Sequence, residues 1–163
     1  LAKAQFVVTS TTEGGYYYSV KDITVSNYAG GTYTVADGTW ATNSYASANV
    51  EFGDVEYVTK GDTNGKTNAT QMLLVPTTAD FKVSFTVEIW NGDGEGDDEV
   101  LLGQTVYKDG DTDTAHNALS VTTDLVKGYT YNFNLNLSVG ELIQFTVTTN
   151  PTWANGGDTV VLQ

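Results

Sequence analysis

Two acidic loops carry the side chains in this sequence that are best suited to binding a hard cation. The first loop has five carboxylates and the second has three, namely Asp93, Glu95, Asp97, Asp98 and Glu99, then Asp109, Asp111 and Asp113. An EF-hand calcium loop needs Gly at its sixth position and Glu at its twelfth. The second loop has Thr114 and Ser120 there, and the first has Leu102 at the last position. We therefore predict solvated acidic loops with no metal and no cofactor, and a calcium site is the alternative.

Catalytic chemistry has few candidate residues in this chain. His116 is the only histidine, and its neighbours Ala115 and Asn117 offer no group that would orient it as a general base. Because the chain has no cysteine, it has no thiolate nucleophile and no cysteine-type zinc site. Paired-carboxylate hydrolysis would have to use glutamates on or beside predicted strands, which are Glu51, Glu56, Glu88 and Glu141. We predict that the chain is not an enzyme.

Aromatic side chains next to turns are candidates for stacking on sugars. Trp40, Trp90 and Trp153 each precede or follow turn residues. Residues 16–18 are three consecutive tyrosines, and at least one of them must face away from the core because successive strand side chains point to opposite faces. Each tryptophan is either a glycan-stacking residue or a cap at the end of a β-sandwich.

Both ends of the sequence have the composition of strands, and a free apolar strand pairs readily with another sheet. The C-terminal segment follows the glycine pair 156–157, which can serve as a hinge. It consists of Asp158, Thr159, Val160, Val161, Leu162 and Gln163. Such a segment either pairs within its own domain or completes the sheet of a neighbouring subunit. We predict strand exchange by residues 158–163 and an internal position for residues 4–9.

Alternation of apolar and polar residues predicts that β-strands position all of these side chains. Residues 81–90 alternate strictly, and residues 129–137 and 143–147 form a predicted hairpin. Other predicted strands are residues 4–12, 15–26, 32–36, 49–59, 70–75, 100–107 and 158–162. One short turn of helix is predicted within residues 115–127.

Two changes of phase in the alternation predict β-bulges. One falls at residues 21–22, and the other falls at residues 53–54, after which Val55 and Tyr57 are predicted to face inward. The pattern as a whole predicts an all-β fold, an antiparallel two-layer β-sandwich. One core is predicted to hold the apolar faces of two strands, Phe81, Val83, Phe85, Val87 and Ile89 with Tyr131, Phe133 and Leu135.

Composition narrows the classes of partner. The net charge is −13 at pH 7 and all seven basic residues are lysines, so nucleic acids and anionic lipid surfaces would be repelled. A chain of 163 residues fits one sandwich domain over residues 1–163, and no apolar run is long enough to span a bilayer. Because Leu1 is not an initiator methionine, we expect a processed or trimmed chain.

The order of segments resembles the C-terminal domain of the fimbrillins, the pilus subunits of Bacteroidales-type bacteria. The similar segments cover most of the chain and are residues 1–6, 18–27, 72–76, 81–90, 125–133, 143–147 and Trp153. Two departures are the lack of the N-terminal domain that fimbrillins carry before this region and the proline at position 151.

The resemblance implies a transthyretin-like or immunoglobulin-like sandwich, exported as a lipoprotein precursor, cut by an Arg-specific protease and polymerised by strand exchange. The absence of arginine fits such processing. The implied function is a structural or adhesive fimbrial subunit outside the cell. Its partners would be other pilus subunits and a host or bacterial surface ligand, with no nucleic acid and no membrane span. A carbohydrate-binding module of a secreted or surface protein is the alternative function.

Overall fold

Thirteen β-strands make up the regular structure of the described residues. The computed structural model describes residues 1–11, 15–42, 46–92, 99–109, 115–138 and 144–150. The strands are β1 Ala2–Ser10, β2 Tyr16–Tyr28, β3 Thr32–Thr34, β4 Thr39–Ala41, β5 Ser47–Val58, β6 Lys66–Thr67, β7 Met72–Leu74, β8 Phe81–Asn91, β9 Val100–Tyr107, β10 Ala115–His116, β11 Leu119–Val121, β12 Thr130–Leu137 and β13 Gln144–Asn150. Over these residues there is no helix long and apolar enough to cross a membrane.

The strands form two packed sheets and a small hairpin. Sheet A has the order β13-β12-β1, and β6 and β7 both pair with the far edge of β1. Sheet B has the order β10-β9-β8-β2-β5, with β11 paired to the start of β8. Strands β3 and β4 form a separate hairpin. The predicted all-β sandwich is confirmed, and most neighbours are antiparallel, whereas β1 runs parallel to β12 and β10 runs parallel to β9.

The core lies between the inner faces of the two sheets, as the alternation predicted. On β12, Tyr131, Phe133, Leu135 and Leu137 are buried, and on β8 the residues from Phe81 to Val87 with odd numbers are buried. Phe133 meets Phe81 across the sheets with ring centroids 5.8 Å apart. This contact confirms that the two predicted faces share one core, although Ile89 is only partly buried.

Strand β1 occupies the interior of sheet A, which confirms the predicted internal position of residues 4–9. Residues 3–10 pair with β12, while β7 pairs with residues 2–4 and β6 with residues 7–8 on the other edge. Between β6 and β7 the side chain of Asn68 takes the place of a strand, since its Oδ1 accepts a 2.8 Å hydrogen bond from the Phe6 amide. The amide group of Asn68 also donates to the carbonyls of Phe52 and Thr70.

Both predicted bulges are present in the pairing of β2 with β5. The register shifts between Val20 and Ile23, across residues 21–22, where Asp22 has φ 54°. It shifts again between Ile23 and Thr24, opposite Gly53, which has φ 77°. Tyr57 was predicted to face inward, and this prediction is wrong. Its φ of 57° adds a second irregularity in β5, so that Val58 enters the core and Tyr57 is 43% exposed.

The helical turn predicted within residues 115–127 is also wrong. The segment forms β10 and β11, and Leu119 and Val121 pair with Val83 and Phe81 of β8. The β-branched residues 121–123 favour the extended chain, and the strand partner supplies backbone hydrogen bonds that one turn of helix would leave unmade. Of the other predicted strands, residues 32–36 shorten to β3, and 158–162 lie outside the described residues.

Candidate functional site

The free edge of β9 is the first candidate site. Strand β9 pairs with β8 along its whole length, but β10 pairs only with Val106 and Tyr107 on the other side. Over residues 100–105 that side has no strand partner among the described residues. Val100, Leu101 and Leu102 are 55%, 42% and 52% exposed. An edge strand with unpaired backbone groups and exposed apolar side chains is a template for pairing with another chain.

A register shift explains why three successive apolar residues of β9 face solvent. Ile89 pairs with Gly103 and Trp90 pairs with Leu101, so Leu102 is the extra residue of a bulge. Without the bulge, alternation would turn every second side chain of β9 toward the core. The sequence predicted β9 with its observed bounds but did not predict this bulge, because Val100, Leu101 and Leu102 give no change of phase.

The second candidate is an aromatic row on the outer face of sheet B, which consists of Trp90 on β8, Tyr17 on β2 and Tyr57 on β5. The planes of Trp90 and Tyr17 are parallel within 1°, with centroids 6.1 Å apart. Tyr57 lies 5.2 Å from Tyr17 at an interplanar angle of 45°. Tyr17 is buried at the centre of the row, while Trp90 is half-buried and Tyr57 is exposed. The predicted outward tyrosine is therefore Tyr17.

Two glutamates hold the polar atoms of the aromatic row. The Tyr17 hydroxyl donates a 2.7 Å hydrogen bond to Glu99 Oε2, and Trp90 Nε1 donates a 3.0 Å bond to Glu88 Oε2. Burial raises the pKa of Tyr17 far above its usual range, and the hydrogen bond to Glu99 and the nearby carboxylates add to the shift. Tyr17 is therefore a neutral hydrogen-bond donor at pH 7.

Backbone strain places Tyr57 in the aromatic row. A positive φ at a residue other than glycine costs about 1–2 kcal/mol, because the Cβ crowds the following carbonyl. Two contacts hold the backbone of Tyr57 there: its amide donates a 3.4 Å bond to Ser19 Oγ, and Lys66 Nζ donates to its carbonyl. The sequence does not assign Tyr57 to this surface, because its outward position depends on a positive φ that the alternation of residues does not show. It does not assign Glu99 either, because the contact of Glu99 with Tyr17 joins residues far apart in the chain.

Trp40 is not part of the aromatic row. It lies on the β3–β4 hairpin, where its ring is 5.3 Å from that of Tyr33. A Cβ on Gly31 would come within 2.9 Å of the Trp40 ring, so the indole packs closely against that glycine backbone. Lys127 fixes the hairpin from outside, since its Nζ lies 5.6 Å from the Tyr33 centroid and donates to the carbonyl of Gly38. This position favours the capping role for Trp40.

The candidate catalytic and metal-binding residues do not converge in the described part of the chain. His116 is exposed, and its ring stacks on Tyr107 at 5.2 Å. Glu56 binds Lys21, and Glu51 is an exposed residue of β5. No group of three or more metal-ligating side chains occurs among the described residues.

Several predicted sites lie outside the described residues. These are Trp153, Glu141, residues 158–163 and the greater part of both acidic loops, residues 93–98 and 110–114. Two loop carboxylates are described, and neither is simply solvated. Glu99 binds Tyr17, and Asp109 accepts hydrogen bonds from Lys82 Nζ and, at 3.2 Å, from the Ala118 amide.

In comparisons with known proteins, no family model, no curated protein and no solved structure matches this chain. The resemblance to the fimbrillins therefore stays a prediction from the sequence.

Proposed function

We propose that this chain is a structural or adhesive subunit of a fibre outside the cell, and that copies join by β-strand addition. The observation that carries the proposal is the free edge of β9, where residues 100–105 lack a strand partner among the described residues and three exposed apolar side chains adjoin it. A strand added there gains a ladder of main-chain hydrogen bonds and buries alternate side chains. Such a joint is stable without a covalent bond.

The added strand in this proposal is residues 158–163 of a neighbouring copy. The segment contains Val160, Val161 and Leu162 and is preceded by the glycine pair 156–157. Its six residues match in number the six residues of β9, 100–105, whose outer side has no strand partner in the described part of the chain. Residues 151–163, if extended, would reach about 40 Å, which is enough to leave one copy and lie along another. The proposal includes no catalytic activity.

A deletion tests the donor strand. Removing residues 159–163 should leave a folded monomer that no longer assembles, judged by circular dichroism and by filament counts in electron micrographs. Normal filaments from the deleted protein would refute the proposed donor. An unfolded product would show that residues 159–163 complete their own domain, which also refutes exchange.

A charge at the acceptor edge tests β9 separately. Leu102→Lys should abolish assembly, because a lysine on an edge strand opposes pairing with another chain. The matched control is Leu73→Lys, since Leu73 on β7 has the same 52% exposure as Leu102. Loss of assembly in the Leu73 variant alone would move the acceptor edge to β7 and refute the assignment to β9. Both variants should melt within a few degrees of the parent.

A carbohydrate-binding module is the second candidate function, and the aromatic row favours it. The half-buried ring of Trp90 and the exposed ring of Tyr57 can contact the apolar groups of a sugar. The two functions differ in one measurement. A fibre subunit forms concentration-dependent assemblies in sedimentation velocity, whereas a binding module stays monomeric and is retained on a glycan column.

A further inference from the structure

The aromatic row places three rings side by side on the outer face of sheet B, and two of them, Trp90 and Tyr57, keep part of their surface exposed. The parallel planes of Trp90 and Tyr17 and the nearby ring of Tyr57 extend across the adjacent strands β8, β2 and β5. Because Tyr17 is only 3% exposed and its hydroxyl is bound to Glu99, it is a positioning residue. The rings that a ligand would touch are those of Trp90 and Tyr57.

The exposure of Tyr57 is maintained by a strained backbone rather than by the regular strand. In regular alternation after Val55 this ring would be in the core, but its positive φ turns it to the outer face and lets Val58 take the buried position. Strained residues persist where the surrounding structure fixes them, and they concentrate at binding sites. The strained φ therefore accounts for the position of the Tyr57 ring on the outer face beside Tyr17.

The charges around the aromatic row select the chemistry of the ligand. Glu88 uses one hydrogen bond for the Trp90 indole, which leaves further acceptor positions on its carboxylate. Sugar hydroxyls are donors that form charge-assisted hydrogen bonds with such a carboxylate. Anionic sugars would be repelled both by Glu88 and Glu99 and by the net charge of −13.

We infer that Trp90 and Tyr57, with Glu88 beside them, form a binding site for a neutral hexose chain. Sugar C–H groups contact the exposed parts of these two rings, and sugar hydroxyls donate to Glu88. The site does not depend on strand addition, because it lies on the outer face of sheet B and not on the backbone edge of β9. It would serve a fibre subunit as an adhesive surface.

Binding is tested with four polysaccharide probes by affinity electrophoresis and calorimetry: mannan, a soluble β-glucan, polygalacturonate and chitosan oligomers. At least one neutral probe should bind, and polygalacturonate should not. Tyr57→Ala and Trp90→Ala should each weaken binding about threefold to tenfold, because each removes one ring that the sugar contacts. Glu88→Gln should weaken it as well, since a neutral amide is a poorer acceptor.

The matched control is Tyr33→Ala, which removes a tyrosine with 40% exposure from the β3–β4 hairpin, against 43% for Tyr57. It should leave affinity unchanged. If Trp90→Ala does not fold, judged by its melting curve, the exposed Tyr57 carries the test alone. The inference is overturned if no neutral probe binds, if Tyr57→Ala binds like the parent, or if chitosan alone binds. The deletion of residues 159–163 should bind the neutral probe normally, which separates this result from the test of strand addition.

Discussion

Truncation of Phe133 tests the packing of the two sheets most directly. This residue is fully buried, and its ring contacts phenylalanines from both sheets: Phe6 at 5.2 Å, Phe52 at 6.4 Å, Phe81 at 5.8 Å and Phe145 at 6.2 Å between centroids. Removal of a fully buried aromatic side chain loses about 2–3 kcal/mol of transfer free energy. The cavity and the lost ring contacts bring the expected destabilisation of Phe133→Ala to about 3–5 kcal/mol.

The assay is urea unfolding followed by circular dichroism. The slope m should stay constant between parent and variant, so that a shift in midpoint reports stability alone. Phe145→Ala is the control, because Phe145 is the same residue type but only half-buried on β13, and it should lose about 1–2 kcal/mol. A loss below about 1 kcal/mol for Phe133→Ala would refute the assignment of its face to the core. Equal losses in the two variants would refute the difference in burial.

Three further predictions concern the loops and bulges. Millimolar calcium added to chelated protein should leave its melting temperature unchanged. A ligand that binds only the native state must stabilise that state and raise the melting temperature. A rise of several degrees that Asp111→Asn removes would contradict the prediction of solvated loops. At the bulge with φ 54°, Asp22→Gly should be neutral or stabilise by up to about 1 kcal/mol, whereas Asp22→Val should destabilise by about 1–2 kcal/mol in the same urea assay. The hydrogen bond from Lys82 lowers the pKa of Asp109. The pair therefore stabilises the fold at pH values above the ordinary titration range of the carboxyl, and this stabilisation is lost as the pH falls through the lowered pKa. Lys82→Met should return that pKa toward its usual range in a carboxyl NMR titration, and an unmoved titration would show that the ion pair is absent in solution.

Alternation predicted the parts of the fold where one strand face is buried. Residues 81–89 and 131–137 follow the period of two with no interruption, and the structure buries the predicted faces except for Ile89, which is partly buried. The bulges at Asp22 and Gly53 were predictable because the apolar residues on either side of each are out of phase. In these strands the alternation of apolar and polar residues predicts directly which side chains are buried.

Features that depend on a partner strand could not be predicted from the local sequence. Tyr57 faces outward because of one strained φ angle. In the sequence it is in phase with Val55, so the alternation predicts that both side chains face inward. Residues 119–121 form a strand because they pair with the edge of β8. The local sequence does not show which strand will lie beside a segment. The contact between Tyr17 and Glu99 joins residues 82 positions apart, so only the tertiary structure reveals it.

The parallel pairing of β1 with β12 constrains the order in which the two sheets can form during folding. Each paired residue of β1 meets a partner 127 positions later in the chain, as in the contact of Gln5 with Asn132. A chain that emerges from a ribosome or an export channel from its N-terminus exposes Phe6 and Val8 long before β12 arrives. Sheet B, which uses residues 16–121, can be assembled first. Non-local pairing of this kind folds slowly and leaves apolar strands open to aggregation. A holding chaperone that binds residues 2–10 should therefore raise the yield of folded protein.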